Sequence, residues 1–297
     1  MKMSACALVM LFCAVAQAGE TAPLVQHVIV IGVDGMSVDG VAKAPTPRMH
    51  GLMKSGSWTL HARGVFPTSS SPNWMSMISG ATPEQHGVTD NKWQPDQFDI
   101  TSISSESHGR FPTMFGVLRA QVPGAIIGVF HDWKDFGRLI EPGVTDVTKH
   151  EEGAAANAAA AIAYLHEKKP TLLFLHLDHV DHAGHGQGWA TPEYYAAVAE
   201  ADRLIGTVVD AVAAAGLEGS TAILVTADHG GSGKKHGNML MSDLEIPWIL
   251  RGPCVKKDHE LKSPVNTYDT AATVALLLGV KQPEIWIGRA VREAISE

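Results

Sequence analysis

Residues 26–37 read QHVIVIGVDGMS, an apolar run that ends at Asp34. Two more apolar runs, TLLFLHL at 171–177 and TAILVTA at 221–227, are also followed directly by an aspartate. Strands that are apolar almost throughout are typical of a sheet that helices cover on both faces. These three runs therefore predict the centre of a mainly parallel sheet.

The rest of the chain alternates between strand-like and helix-like segments. Further strand candidates are 57–63, 125–130 and 246–250, and helix candidates are 46–55, 72–79, 112–121, 151–167, 192–215 and 268–278. This alternation predicts an α/β fold, a three-layer α/β/α sandwich around a mainly parallel central sheet. Segment 92–111 is polar and weakly periodic, and we expect it to form a loop near a functional site.

The first 18 residues are typical of a secretory signal peptide. A lysine precedes an apolar stretch at 5–16, and Ala16-Gln17-Ala18 fits a cleavage site before Gly19. The apolar stretch is too short to span a bilayer; the other interpretation is a buried N-terminal helix. We expect a signal peptide at 1–18 and a mature domain at 19–297. The mature protein would be secreted, in a Gram-negative host to the periplasm, with no membrane span.

The charge and the cysteine content argue against two features, a nucleic-acid-binding surface and an internal disulfide. The formal net charge is −8, and no basic run is longer than a Lys-Lys pair, which argues against a nucleic-acid-binding surface. Removal of the signal peptide would leave Cys254 as the only cysteine, so an internal disulfide cannot form. Nothing in the sequence indicates the oligomeric state.

Asp and His are concentrated after the three central strands. Asp34 follows the first strand, DHVDHAGH at 178–185 follows the second, and DHGGSGKKHG at 228–237 follows the third. An open α/β sheet places its chemistry at the carboxyl ends of its strands. Carboxylate and imidazole ligands suit Zn²⁺, and the lack of a thiolate set argues against a structural Cys-type site. The pattern predicts a pair of divalent metals for the hydrolysis of phosphorus esters.

A run of hydroxyl side chains offers a nucleophile. Residues 66–74 read FPTSSSPNW, with four hydroxyl residues before Pro72, and proline is favoured at the start of a helix. A hydroxyl at that place lies where free N–H groups and the helix dipole favour an anion. When this segment is considered alone, a simple helix cap or Ser-rich turn explains it better than a nucleophile does.

Together these motifs resemble the alkaline phosphatase superfamily, and within it the nucleotide pyrophosphatase/phosphodiesterase branch, over nearly all of 26–290. Asp34 matches the aspartate that ends the family's first strand. PTSSSPN at 67–73 matches the Pro-x-x-Thr/Ser-x-Pro-Asn signature and implies that Ser70 is the catalytic nucleophile. Asn91 matches the family's catalytic asparagine, which hydrogen-bonds a phosphoryl oxygen; its other interpretation is a turn residue.

The resemblance also implies two zinc ions as cofactors, with Mn²⁺ as the alternative. The implied ligands are Asp178, His182 and His236 for one ion, and Asp34, Ser70, Asp228 and His229 for the other. Asp181, His179 and His185 lie beside these ligands in sequence, and we expect them to hold ligand side chains in place rather than bind metal directly. An Asp-His dipeptide or a local hydrogen bond would explain any single pair.

The implied activity is hydrolysis of a phosphodiester or pyrophosphate bond in a small-molecule phosphate ester or nucleotide-like substrate. The nearest alternative is a phosphomonoesterase, whose extra substrate charge needs a cation. Lys92 is a candidate substrate-binding residue for that purpose, and Lys234 and Lys235 lie near the same site. A further alternative is a protein that binds zinc or phosphate without catalysis.

Three departures from the family pattern bear on specificity. Ser71 follows the nucleophile where many relatives carry an aromatic residue that stacks on a nucleobase. Only 230–235 separate the Asp-His pair from the last histidine, so we expect no large cap insertion. Trp74 stands where sulfatases of the superfamily carry arginine, which argues against sulfatase activity.

Overall fold

The protein is described by a computed structural model that covers residues 22–104 and 110–296. Its strands are β1 His27–Val33, β2 Ser57–Arg63, β3 Ile127–His131, β4 Val147–His150, β5 Leu172–Leu177, β6 Thr221–Ala227, β7 Glu245–Arg251 and β8 His259–Glu260. They form one sheet in the order β4-β3-β5-β1-β6-β7-β2-β8. The predicted signal peptide at 1–18 and part of the predicted loop at 92–111 lie outside the described residues.

The sheet is mainly parallel, as predicted. β1 pairs parallel with β5 and β6, and β3 pairs parallel with β4 and β5, whereas β7 runs antiparallel to β6 and β2. At the end of β1, Val33 lies opposite both Leu177 of β5 and Ala227 of β6. The residues that follow these three are therefore in register at one edge of the sheet.

The helices lie between the strands in sequence or follow the last strand. They are α1 Val38–Lys43, α2 Pro47–Lys54, α3 Ser70–Ser79, α4 Pro83–His86, α5 Met114–Gln121, α6 Ala154–Lys168, α7 His179–Gln187, α8 Pro192–Ala214, α9 Met241–Leu244 and α10 Asp269–Leu277, with short 3₁₀ helices at 134–139, 218–220 and 292–294. No helix in the described ranges combines the length and the apolar character needed to cross a bilayer.

Helices cover both faces of the sheet. On one face, the ring of Phe174 in β5 contacts Trp74 of α3 at a centroid distance of 6.1 Å and Phe115 of α5 at 6.0 Å. On the other face, Tyr164 of α6 lies over Gly128 of β3, where a Cβ atom would be 2.6 Å from the tyrosine ring. Successive strand residues point to opposite faces, so the same strands are buried on both sides. The three-layer α/β/α prediction is confirmed.

Candidate functional site

Three aspartates meet at the carboxyl edge of the sheet. Asp34, Asp178 and Asp228 come directly after β1, β5 and β6, and all three are buried. Three groups of residues each offer ligand atoms within 4.8 Å of one another. These groups are Asp34, Asp228 and His229; Asp34, His176 and Asp178; and Asp181, His185 and His236.

The Asp34 carboxylate is held at one oxygen and open at the other. Its Oδ2 accepts a hydrogen bond from Nε1 of Trp74 (3.0 Å) and lies 3.3 Å from Nε2 of His176. Its Oδ1 is buried, lies 3.4 Å from Nε2 of His229, and has no hydrogen-bond partner among the described residues. This arrangement fixes the orientation of the carboxylate and leaves Oδ1 available to a group other than a hydrogen-bond donor of the protein.

Asp228 and His229 face the same point as the open oxygen of Asp34. Asp228 Oδ1 accepts the Gly35 N–H (3.1 Å), while its buried Oδ2 has no hydrogen-bond partner in the described part of the chain. His229 Nδ1 lies 2.8 Å from the Gly230 carbonyl oxygen, which can only accept, so Nδ1 carries the proton. The lone pair of Nε2 then accepts a hydrogen bond from Ser70 Oγ at 3.3 Å, and Nε2 lies 3.3 Å from Asp228 Oδ2.

The group formed by Asp181, His185 and His236 lies next to the first. Asp181 Oδ2 is 3.3 Å from His185 Nε2, and its buried Oδ1 is 3.9 Å from His236 Nε2 without a hydrogen-bond partner among the described residues. His236 Nδ1 donates to the Thr68 carbonyl (2.9 Å), so its Nε2 also carries a lone pair. The rings of His236 and His229 stack at a centroid distance of 3.9 Å, which places the two groups side by side.

The structure does not bring the predicted pair Asp178 and His182 together with His236. His182 Nε2 pairs with Asp178 Oδ2 at 3.0 Å, the His182 side chain is 75% exposed, and it belongs to none of the three groups. The reason is helix geometry: α7 turns by about 100° per residue, so the equally spaced pair that begins at Asp181 lies on a different face. The absence of a side chain at Gly35, which has φ +68°, allows Asp181 to lie against the backbone after β1, because a Cβ atom at position 35 would be 2.8 Å from Asp181 Cα.

Burial of several carboxylates without counter-charges shifts their titration. Burial raises the pKa of Asp34 to about 8, with a further contribution from the neighbouring Asp228 carboxylate. Burial also raises the pKa of Asp181 to about 7, with Asp34 adding to the shift, and raises the pKa of Asp228 well above its usual value. A cluster of buried carboxylate oxygens without hydrogen-bond partners among the described residues, together with imidazole lone pairs, is the environment that a divalent cation neutralises.

The nucleophile segment joins this cluster at the start of α3. The helix begins at Ser70, two residues earlier than Pro72, where the sequence predicted its start; proline is compatible because the first turn needs no intrahelical N–H donors. The Ser71 N–H donates to Asn91 Oδ1 at 2.8 Å. Since that oxygen is the acceptor, the Asn91 side-chain NH₂ group is free of hydrogen-bond partners among the described residues and can donate to a substrate.

The structure shows the surroundings of two of the lysines predicted near the site. The Lys92 side chain is exposed, and its backbone N–H donates to Asp90 Oδ1 in a turn. Lys234 Nζ donates to a backbone carbonyl of α7 at 2.6 Å. The predicted neighbour His179 instead bonds the Ala197 carbonyl of α8 at 3.1 Å.

Sequence reasoning missed several residues of the site. It treated Asp181 and His185 as auxiliary groups, because the histidines and glycines of α7 give no apolar stripe that would indicate which helix face is buried. It did not identify His176, which lies inside β5 two residues before Asp178, as a neighbour of Asp34. The alternation of side-chain directions along β5 does not indicate that His176 contacts Asp34.

Comparison with known proteins gives a family and a fold. Residues 28–243 match the model of the type I phosphodiesterase / nucleotide pyrophosphatase family. Mouse ectonucleotide pyrophosphatase/phosphodiesterase family member 1 is 26% identical over 231 residues, which are 71% of this chain and 25% of the relative. Venom phosphodiesterase 2 of Crotalus adamanteus is 25% identical over 204 residues, 62% of this chain and 24% of the relative. The chain thus spans about a quarter of the length of these relatives.

Solved structures agree at the level of the fold. An inactive variant of murine ectonucleotide pyrophosphatase/phosphodiesterase 5, in complex with AMP, has a TM-score of 0.74 and 18% identity, and the match covers 91% of this chain and all of that one. A 2-O GAG sulfatase has a TM-score of 0.71 and 16% identity, with 91% of this chain and 74% of that one covered. Both carry the same α/β architecture around different chemistry.

Proposed function

Because the chain belongs to the type I phosphodiesterase / nucleotide pyrophosphatase family, we propose that it hydrolyses phosphodiester or pyrophosphate bonds in small phosphate esters or nucleotide-like substrates. The observation that carries this proposal is the meeting of Ser70 Oγ with the His229 imidazole and the open oxygens of Asp34 and Asp228. A hydroxyl beside an unneutralised carboxylate cluster suits a metal-assisted nucleophile.

Two divalent ions fit the donor set, and zinc is the proposed metal, with manganese as the alternative. One ion would be held by Asp34, Asp228 and His229, together with Ser70. The other would be held by Asp181, His185 and His236, and we propose this set in place of Asp178, His182 and His236. The support is that each set combines buried carboxylate oxygens without hydrogen-bond partners among the described residues with histidine nitrogens that point at them. Bound zinc supplies positive charge that lowers the pKa of a neighbouring hydroxyl and stabilises developing negative charge.

The chain's own groups position the reaction. Ser70 Oγ gives up its proton to solvent and forms the new bond to phosphorus while the bond from phosphorus to the leaving oxygen breaks, and the leaving oxygen takes a proton from water. Water later cleaves the phosphoserine ester, which returns a proton to Ser70 Oγ. The free NH₂ group of Asn91 donates to a phosphoryl oxygen, because Ser71 fixes the other end of that amide. The Ser71 N–H is therefore engaged by Asn91 and does not contact the substrate. Trp74 and His176 hold the Asp34 carboxylate in orientation from behind.

The test is a substrate panel with matched serine variants. Zinc-loaded protein would be assayed with bis-p-nitrophenyl phosphate, p-nitrophenyl phosphate and a dinucleoside polyphosphate. Ser70→Ala should abolish turnover, while Ser69→Ala, one residue away and without a side-chain capping bond, should retain it. Turnover in Ser70→Ala would refute the nucleophile assignment, and a thousandfold preference for the monoester would refute the substrate class. Metal uptake with no turnover on any substrate would favour a binding protein.

We also propose that residues 1–18 direct export and that residues 19–297 form the mature catalytic domain without a large cap. The support is the signal-like composition of the first segment and the short connection at 230–235 between His229 and His236. N-terminal sequencing of the exported protein should begin at Gly19. A start at Met1 would refute cleavage.

A further inference from the structure

Arg138 reaches the nucleophile segment from a distant part of the chain. It belongs to the 3₁₀ helix at 134–139 between β3 and β4, and its side chain is 11% exposed. Its Nη2 donates to Ser71 Oγ at 3.0 Å and to the Asn91 carbonyl oxygen at 2.5 Å. Its Nη1 pairs with Asp135 Oδ2 at 3.1 Å. No sequence motif indicated these contacts.

The two bonds of Nη2 close a ring that contains Asn91. The Ser71 N–H donates to the Asn91 side chain, and Arg138 then bridges the Ser71 hydroxyl to the Asn91 backbone. These are the hydrogen bonds of Asn91 within the described ranges, so Ser71 and Arg138 together determine where it lies. Without Arg138, the Asn91 segment would keep a single bond to α3.

The segment that presents Arg138 is well anchored. Phe136 is fully buried and stacks on Phe174 of β5 at a centroid distance of 5.1 Å. The Arg138 guanidinium lies 5.7 Å from the Trp133 ring centroid, and the Arg138 backbone carbonyl accepts a bond from Arg110 Nε at 2.8 Å. A guanidinium fixed in this way holds its partners at a defined position, because its planar fork is already organised.

The same contacts argue against direct binding of the substrate by Arg138. Nη1 and Nη2 are bonded to protein groups, and Nε is buried away from solvent. We therefore propose that Arg138 is a positioning residue, which holds Asn91 against the start of α3 beside Ser70 and acts on the reaction through Asn91. The proposal rests on the proposed function for its kinetic consequences, but the positional contacts can be tested without turnover.

The kinetic test compares Arg138→Met with Arg138→Lys and with Arg203→Met, which removes an exposed arginine paired with Glu200 on α8. In the metal-loaded full chain, Arg138→Met should lower kcat by about 10²-fold, the scale of loss for a misplaced group, with KM within about threefold. Arg138→Lys should recover part of the loss, because the lysine ammonium carries three donors but lacks the planar fork that holds them at a fixed position, and Arg203→Met should match the wild type. In an Asn91→Ala background, Arg138→Met should cost nothing further.

Two results would overturn the proposal. Additive losses from Arg138→Met and Asn91→Ala would show that Arg138 does not act through Asn91. A loss for p-nitrophenyl phosphate at least tenfold larger than the loss for bis-p-nitrophenyl phosphate would show direct contact with the extra charge of the monoester. Ser71→Ala, which removes one acceptor of Nη2, provides a milder variant if Arg138→Met does not fold, and it should give a smaller loss of the same kind.

Hydrogen exchange of the Ser71 amide gives a readout that does not depend on activity. That N–H is protected by Asn91, so Arg138→Met or Arg138→Lys should speed its exchange, whereas Arg203→Met should leave it unchanged. Unaltered exchange in both Arg138 variants would refute the positioning role. If the wild type turned over no substrate while exchange still responded to Arg138, the proposed function would fail and the structural role of Arg138 would stand.

Discussion

Two aspartates of one helix turn, Asp178 and Asp181, present a direct choice of metal ligand. Asp181 has a buried oxygen without a hydrogen-bond partner among the described residues and faces His236, whereas Asp178 is paired with the exposed His182. We predict that Asp181→Asn loses one of the two ions and at least about 10³-fold in turnover, since an ion supplies several kcal/mol of transition-state stabilisation. Asp178→Asn should keep both ions and lose about tenfold at most. Metal content by mass spectrometry, measured together with turnover, shows which aspartate binds the ion. If Asp178→Asn lost an ion and Asp181→Asn kept both, Asp178 and His182 would be the ligands, as the sequence predicted.

The burial of His86 predicts how the stability of the fold depends on pH. Burial lowers its pKa to about 3, and its Nδ1 accepts the Val88 N–H, so the ring is neutral in the folded protein. The unfolded chain binds a proton to this histidine below about pH 6.5, so the unfolded state binds more protons than the folded state between about pH 6.5 and 3. Stability from this group is therefore lost as the pH falls through that window, with a slope of up to about 1.4 kcal/mol per pH unit.

The measurement is urea unfolding of the chelated wild type and of His86→Gln between pH 7 and pH 5. Both proteins share every other titrating group, so the difference between their stabilities isolates His86. The wild type should lose more stability on acidification than the variant does. Parallel curves would mean that the ring is protonated in the folded protein.

The sequence predicted the strands correctly where both of their faces are buried. β1, β5 and β6 are apolar almost throughout, so both the sheet and the edge that carries Asp34 and Asp228 were predicted from the sequence pattern alone. β4 escaped detection because it is a short edge strand with mostly exposed side chains. The histidines and glycines of α7 give no apolar stripe, and without the phase of that helix the two Asp-x-x-x-His spacings cannot be told apart. Arg138 lies 47 residues from Asn91, and its role depends on tertiary contact alone.

The spacing between β1 and α3 sets the position of the nucleophile relative to Asp34. Gly32 lies under the Trp74 ring, where a Cβ atom would be 2.5 Å from the indole, and that indole is packed against Phe136 and Phe174. We predict that Gly32→Ala destabilises the fold by about 1–3 kcal/mol, as overpacking does, and lowers turnover because Trp74 also holds Asp34. Gly51→Ala in α2, where a Cβ atom meets nothing within 4 Å, should instead stabilise by about 0.5–1 kcal/mol. Thermal unfolding and turnover of both variants test this, and a neutral Gly32→Ala would mean that α3 adjusts freely.

For the whole molecule, metal binding and folding should be coupled through the buried carboxylates. Asp34, Asp181 and Asp228 leave buried oxygens without hydrogen-bond partners among the described residues, a cost that the folded protein bears until cations neutralise it. Zinc at 100 times its dissociation constant should stabilise the wild type by about 2.7 kcal/mol for each ion bound, and chelation should remove that gain. Asp228→Asn keeps the oxygen that accepts the Gly35 N–H and removes the charge, so the chelated variant should unfold at a temperature roughly 3–8 °C above the chelated wild type. The same variant should gain less from zinc and lose turnover. Calorimetry with and without chelator measures the unfolding temperatures and the gains from zinc, and a substrate assay measures turnover. A chelated Asp228→Asn that is less stable than the chelated wild type would mean that this carboxylate stabilises the fold by itself and not as half of a metal site.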